Sequence, residues 1–447
     1  MALREVLTIL AGCTISVLGI AGCGDDARPK PEIEEITYTL TIAVTGDGTT
    51  DPPPGTHVYV AGTSVTTTAT PQMNSAFMGW SGDASGTIPP ATIVMDGDRA
   101  VTAQFSWGKS AASGLPNVPK RGVPRPSGNP GNLKVLDWAG LNGAVTYTLD
   151  DSQPSHIEHY AALQATGIKM TFYVNKETAS GDLETWRQIA ADGHEIGNHT
   201  VDHCHAPSSA ISSLNGCLFG SAPPDAPAAA TPESEIDDNS AWIKSAIGQS
   251  DVWTMATPFG DTNWIPYARP RFLLNRDVFQ AMVAPNDNTD PAHLPCYMAG
   301  AMKDGGIDDS LTTFDQLIDT ARSSDKWIIF LFHSILPTDA QWYGMVDISK
   351  ITASTDHIKA LGDMWADTLV SVGAYWRAQA VISSLTPASS PGVTTWTWTL
   401  PEHFPPGKYL RVTVDGGTLD QAGAPVPWDE HGYYEIALDK ATLSLRP

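Results

Sequence analysis

The chain is short of positive charge, of cysteine and of long uninterrupted apolar runs. Its 447 residues carry 26 Lys and Arg against 49 Asp and Glu, a formal net charge of −23. A balance that acidic repels phosphate backbones and anionic membrane surfaces, which argues against nucleic acid as a partner. There are only 5 cysteines, and Cys13 and Cys23 fall near the N-terminus. The apolar stretch over residues 6–22 is broken by Thr8, Thr14 and Ser16 and falls short of the roughly 20 apolar residues of a membrane span. What the chain does have is core material, with 42% hydrophobic residues and 14 Trp. Its 39 Gly and 34 Pro point to many turns and linkers, as in secreted, modular, β-rich proteins. At roughly 150 residues per domain, about three domains are expected.

Arg4 ahead of the apolar stretch gives the charged and apolar regions of a signal peptide. Ile20-Ala21-Gly22-Cys23 resembles the bacterial lipobox, in which the cysteine is acylated and becomes the first residue. Leu10-Ala11-Gly12-Cys13 also fits but leaves only about five apolar residues upstream, too few for that region. The expectation is a signal peptide over residues 1–22 and a polar tether over residues 23–36. That makes a bacterial envelope protein, lipid-anchored at Cys23, facing the periplasm or the surface. Beyond the cytoplasmic membrane disulfides are permitted. A Cys204–Cys217 bridge would clip a Ser/Pro/Ala-rich loop and contribute about 3 kcal/mol, with Cys296 left over.

From Tyr38 the text alternates apolar and polar, as in Thr39-Leu40-Thr41-Ile42-Ala43-Val44-Thr45, the mark of half-buried strands. Residues 37–106 read as a small all-β module. Phe77-Met78-Gly79-Trp80-Ser81-Gly82 and Val101-Thr102-Ala103-Gln104-Phe105 resemble the bacterial repeat domains of cell-surface proteins. Trp80 is expected in its core. Residues 107–132, dense in Gly, Pro and Ser, read as a semi-extended linker. After residue 387 the period is again two, so residues 387–447 read as a β-sandwich-like module. Its Trp396, Trp398 and Trp428 suit packing better than a glycan surface.

Between them, residues 133–386 alternate strands and helices, the pattern of a parallel α/β sheet or barrel. In such folds reactive groups gather where strands end. One strand, Ala144-Val145-Thr146-Tyr147-Thr148-Leu149, runs into Asp150-Asp151. Another leads into His199-Thr200-Val201-Asp202-His203. A third ends in Pro258-Phe259-Gly260, and Trp327-Ile328-Ile329-Phe330-Leu331-Phe332 ends at His333. Helices are expected over residues 183–191, capped by Asp182, over 357–365 and over 370–380. His199 and His203, four apart, are expected on one face of a helical turn. One carboxylate and two neutral imidazoles make a three-ligand metal site with an open position. A second carboxylate beside it can take a proton from water, and a histidine across the cleft can protonate a leaving group.

These residues resemble the polysaccharide deacetylase family, the NodB-type carbohydrate esterases of family four, over about residues 135–380. Thr148-Leu149-Asp150-Asp151 stands where that family has Thr-Phe-Asp-Asp, which implies Asp150 as general base and Asp151 as metal ligand. His199-Thr200-Val201-Asp202-His203 matches its His-Ser/Thr-x-x-His motif, implying both histidines as ligands. Leu331-Phe332-His333 matches its Leu-x-His motif, implying His333 as general acid. The implied fold is a distorted (β/α) barrel with fewer than eight regular strands, and the implied cofactor a divalent metal, zinc foremost. The family's Arg-x-Pro-x-Gly motif departs here: Ala256-Thr257-Pro258-Phe259-Gly260 lacks the arginine that orients the base. Of Arg269, Arg271 and Arg276 downstream, Arg276 is the expected substitute. Tyr147, Pro258 and Phe259 are candidates for a wall or backbone amide near the oxyanion. The implied function is removal of N-acetyl or O-acetyl groups from a polysaccharide. The departure at Ala256 keeps two alternatives in view, a catalytically impaired glycan-binding protein and an acetylxylan-type esterase.

Overall fold

A computed structural model of the chain describes residues 35–46, 48–71, 75, 77–86, 89–105, 110, 113–119, 122–208, 214, 231–300, 310–337 and 344–447. Cys13, Cys23 and Cys217, with the expected signal and tether up to residue 34, lie outside the described residues. Among the described residues no helix is long and apolar enough to cross a membrane.

The central region is built on a parallel sheet. Its strands run in the order Leu274–Arg276, Thr254–Ala256, Glu195–Asn198, Thr171–Val174, Ala144–Leu149, Trp327–Phe332 and Tyr297–Met298. Ala144–Leu149 and Trp327–Phe332 pair along their whole length, and every residue of both is buried. Runs covered on both faces belong at the centre of a parallel sheet. The short strand Trp365–Ala366 pairs with Ala144 and Val145, whereas Thr171 and Phe172 pair with Thr148 and Leu149 further along the same edge. Two neighbours therefore share one edge of Ala144–Leu149, and the sheet splays into a half-barrel. All these strands end on one face.

The helices are set by local signals. Asp182 accepts from the Thr185 amide and opens Leu183–Ala191, as expected. Thr231 and Ser234 form a reciprocal capping box ahead of Pro232–Trp242. The helix expected over residues 357–365 lies instead at Ile348–Leu361. Asp347 caps its start by accepting from the Ser349 amide, and Gly362 ends it at φ 71°, so Trp365 is freed to join the sheet.

Residues 37–105 form two small sheets around a core that includes Leu40, Ile42, Trp80, Val101 and Phe105, so Trp80 is a core residue. In the C-terminal region Trp396 and Trp398 are buried, and the Trp398 and Trp428 indoles donate to the Leu438 and Val123 carbonyls. These tryptophans serve packing.

The Pro/Gly/Ser-rich stretch before the barrel runs against the C-terminal sheet. Lys134–Val135 adds to that sheet as an edge strand beside Tyr409–Thr413. Arg411, fully buried, donates to the carbonyls of Leu115, Pro116 and Ala139, pairs with Glu435 at 3.1 Å and lies 4.0 Å over the Tyr433 ring. One core joins Trp138, Trp327 and Trp365 of the barrel with Val412, Tyr434 and Leu443 beyond it. Arg411→Ala would leave the Pro116 and Ala139 carbonyls without this donor and the part-buried Glu435 carboxylate without its cation, a loss of about 3 kcal/mol. The expected outcome is a lower urea midpoint for barrel and C-terminal region together, read by tryptophan fluorescence and far-UV dichroism.

Candidate metal centre

The first candidate ligand comes from the end of Ala144–Leu149. The Asp150 amide still donates to the Phe332 carbonyl at 3.0 Å, and then the chain reverses through Asp151 (φ 72°) and Ser152 (φ 51°). Left-handed conformations at two successive non-glycine residues are costly and persist only where the surroundings impose them. Here they aim two adjacent carboxylates, both buried, at the open face of the sheet.

The histidine pair follows Glu195–Asn198. The expected helical turn over residues 199–203 does not form, because Thr200 (φ 66°) and His203 (φ 52°) are left-handed. Side chains hold the loop instead. Asn198 accepts from the Thr200 amide (2.7 Å), Glu235 accepts from the Val201 and Asp202 amides (3.0 and 2.9 Å), and Asn175 donates to the His199 carbonyl. The Thr200 hydroxyl accepts from the His203 amide at 3.1 Å. These side chains do for the loop what helical hydrogen bonds would have done, and both rings still meet.

Asp151 Oδ1 lies 3.1 Å from His199 Nε2 and 3.3 Å from His203 Nε2. Among the described residues these three form the group whose donor atoms all lie within 4.8 Å of one another. Ligands about 2.1 Å from a tetrahedral ion stand about 3.4 Å apart, so the donor set fits a divalent cation such as zinc. Second-sphere contacts fit as well. His199 Nδ1 is 2.9 Å from the Ala256 carbonyl and must donate to it, which leaves the Nε2 lone pair facing inward. Burial drives His203 down to about 3, aided by the nearby His199, so its imidazole is neutral. Burial pushes the Asp151 carboxyl up, but the His199 hydrogen bond and the three surrounding imidazoles outweigh it and hold it ionised. For His199 burial lowers the pKa, and the two aspartates more than offset this, so it is raised.

His333 stands across from the pair, its Nε2 3.7 Å from Asp151 Oδ2, with its carbonyl bound by His156 Nε2 at 2.6 Å. Asp150 Oδ2 lies 3.9 Å from His199 Nε2. The structure thus brings together all five residues picked out by the strand-end pattern.

Arg276 supplies the missing cation. It is the register partner of Ala256 on the neighbouring strand Leu274–Arg276, and its Nη2 contacts both carboxylate oxygens of Asp150. The guanidinium is wholly buried and sits 5.3 Å from the centre of the Tyr173 ring. Gly197 makes that support possible, since a Cβ there would come within 2.3 Å of the ring. Arg269 and Arg271 are spent on surface pairs with Asp290 and Asp237.

The other candidates divide. Phe259 lies edge-on to His203 (4.3 Å, 72°) and is 41% exposed, so it does wall the site. Pro258 is buried behind it. Tyr147 corrects an expectation: its ring is stacked against Phe330 and Phe332, its hydroxyl meets Ser354 Oγ at 2.8 Å, and it forms no wall. Cys204 is disulfide-bonded, while Cys296 is free and buried. Pattern reading missed Asn175, Asn198 and Glu235, because loop-bracing side chains far apart in sequence carry no periodic signal.

Two outcomes follow. Cation affinity measured by competition titration should fall as the pH drops, because raised His199 must release a proton to bind, while His203 at about 3 has none to lose. The proton displaced on binding should therefore come from His199 and not from His203. Arg276→Ala, which frees the Asp150 carboxylate to move, should cut turnover about 10²-fold while bound metal per chain is unchanged.

Residues 38–109 match the family model described as divergent InlB B-repeat domain. Gellan lyase of a Bacillus species is 37% identical over 75 residues, which are 16% of this chain and only 3% of that protein. A Mycobacterium smegmatis protein assigned to the polysaccharide deacetylases superposes with a TM-score of 0.38 at 17% identity, over 63% of this chain and all of that one. Peptidoglycan deacetylase PdaC from Bacillus subtilis superposes at 0.30 with 18% identity, over 52% and 89%. A carbohydrate esterase family four pseudoenzyme from Bacillus anthracis does so at 0.31 with 12% identity, over 52% and 65%. Residues 141–266, which hold the aspartate pair, His199, His203 and the Pro258-Phe259-Gly260 turn, match the polysaccharide deacetylase family model.

Proposed function

We propose that the protein is a metal-dependent hydrolase removing N-acetyl or O-acetyl groups from an envelope or extracellular polysaccharide, with zinc as the favoured metal. One observation carries the reading: Asp151, His199 and His203 converge within 4.8 Å, with Asp150 and His333 on either side. Asp151, His199 and His203 would hold a divalent cation, which would supply Lewis-acid chemistry to the acetyl group and to water. Asp150, fixed by Arg276, accepts the water's proton as the oxygen adds to the acetyl carbon. His333 gives a proton to the nitrogen (or ester oxygen) as its bond to that carbon breaks, leaving acetate and the free amine or alcohol. Phe259 walls the entrance beside His203.

The impaired-binder alternative rests on Ala256 and on the two flanking β regions; against the first, Asp150 keeps a cation partner in Arg276 on the adjacent strand. The acetylxylan reading differs only in the substrate. For location we infer lipid anchoring at Cys23 in the bacterial envelope, supported by the lipobox-like segment and by the acidic, turn-rich composition. The partner is the acetylated polysaccharide itself.

Acetate release from chitin oligomers, peptidoglycan and acetylated xylan tests the reading. The zinc-loaded chain should release acetate from at least one, Asp150→Asn should keep the metal and lose turnover at least 10²-fold, and His199→Ala should lose the metal. Stoichiometric metal without acetate from any of the three would leave a binding protein.

A further inference from the structure

Outside residues 36–94, the large hydrophobic side chains exposed among the described residues are Phe259 and Phe279, at 41% and 40%. Each is backed by a histidine, and each histidine by a carboxylate. Phe259 lies flat on His205 (4.1 Å, 11°), whose Nδ1 is 3.2 Å from Asp261. Phe279 lies against His293 (4.6 Å, 51°), whose Nε2 is 2.9 Å from the buried Asp277 carboxylate.

The two units adjoin on the catalytic face. They follow the ends of the paired strands Thr254–Ala256 and Leu274–Arg276. Gly260, next to Phe259, is packed so closely that a Cβ would meet Val278 at 2.3 Å and Asp277 Oδ1 at 3.2 Å. Phe259 belongs to the metal centre through His203, whereas Phe279 takes no part in the chemistry derived above.

Keeping a phenyl face in water costs free energy, and this one is fixed in place by a histidine with an aspartate behind it. A protein partner needs a contiguous apolar patch, and no exposed large aliphatic side chain adjoins these rings among the described residues. A lone ring edged by imidazole and carboxylate suits a pyranose, which presents an apolar C–H face and a rim of hydroxyls. We propose that Phe279, His293 and Asp277 form a second sugar subsite, holding a ring further along the glycan whose acetyl group lies at the metal centre. The inference rests on the polysaccharide reading and deepens it: Phe279 is the residue through which glycans are graded by length.

The test uses the full zinc-loaded chain carrying Asp150→Asn, with affinities for the disaccharide and hexasaccharide of chitin and of acetylated xylan measured by calorimetry. One hexamer should bind about tenfold or more tightly than its dimer. Adding Phe279→Ala should erase most of that gain and leave the dimer unchanged, and Phe279→Tyr should restore it. Equal weakening of dimer and hexamer, an undiminished length effect, or no hexamer binding at all overturns the subsite. Acetate release by the otherwise native chain separates the two ideas. Turnover with no Phe279 effect sinks the subsite alone, and length-dependent binding without turnover sinks the deacetylase reading alone.

Discussion

Two adjacent aspartates, both buried, leave the same strand end, and like charges that close must be separated by cations or one of them will take up a proton. Asp151 turns toward two imidazoles and Asp150 turns toward a guanidinium. That division fixes the rest of the site. The left-handed backbone at Asp151 and Ser152, the bracing of the histidine loop by Glu235 and Asn175, and the seating of Arg276 on Tyr173 all keep the two carboxylates apart in role as well as in space.

The half-barrel serves this arrangement. Five residues from three different strand ends converge because parallel strands point their C-terminal ends the same way. The Ala256–Arg276 exchange shows how much freedom the sheet allows. Register partners on neighbouring parallel strands lie about 4.8 Å apart, so a long flexible side chain from either reaches the same carboxylate. Moving the arginine leaves Ala256 as the smaller neighbour, and its carbonyl still orients His199.

Much of this was legible before any coordinates. The strand Trp327–Phe332 announced itself as a continuous apolar run, and Asp182 marked a helix start by its side-chain chemistry. The five site residues were readable because each followed a strand. Less visible was whatever depends on tertiary context. Residues 199–203 have helical spacing but are held in a loop, left-handed at Thr200 and His203, by side chains up to 34 positions away, and Leu274–Arg276 is too short to show a period. The stretch before the barrel has linker composition, yet Arg411 ties its carbonyls to a sheet nearly 300 residues later, a contact that no local pattern encodes.

The most direct test of the central claim is X-ray absorption at the zinc edge on the full chain loaded to one ion per chain. The account predicts four or five light-atom ligands near 2.0–2.1 Å, with the multiple-scattering signature of two imidazoles that drops to one in His203→Ala. An all-oxygen shell with no imidazole signal, or failure to retain one ion per chain, would contradict it.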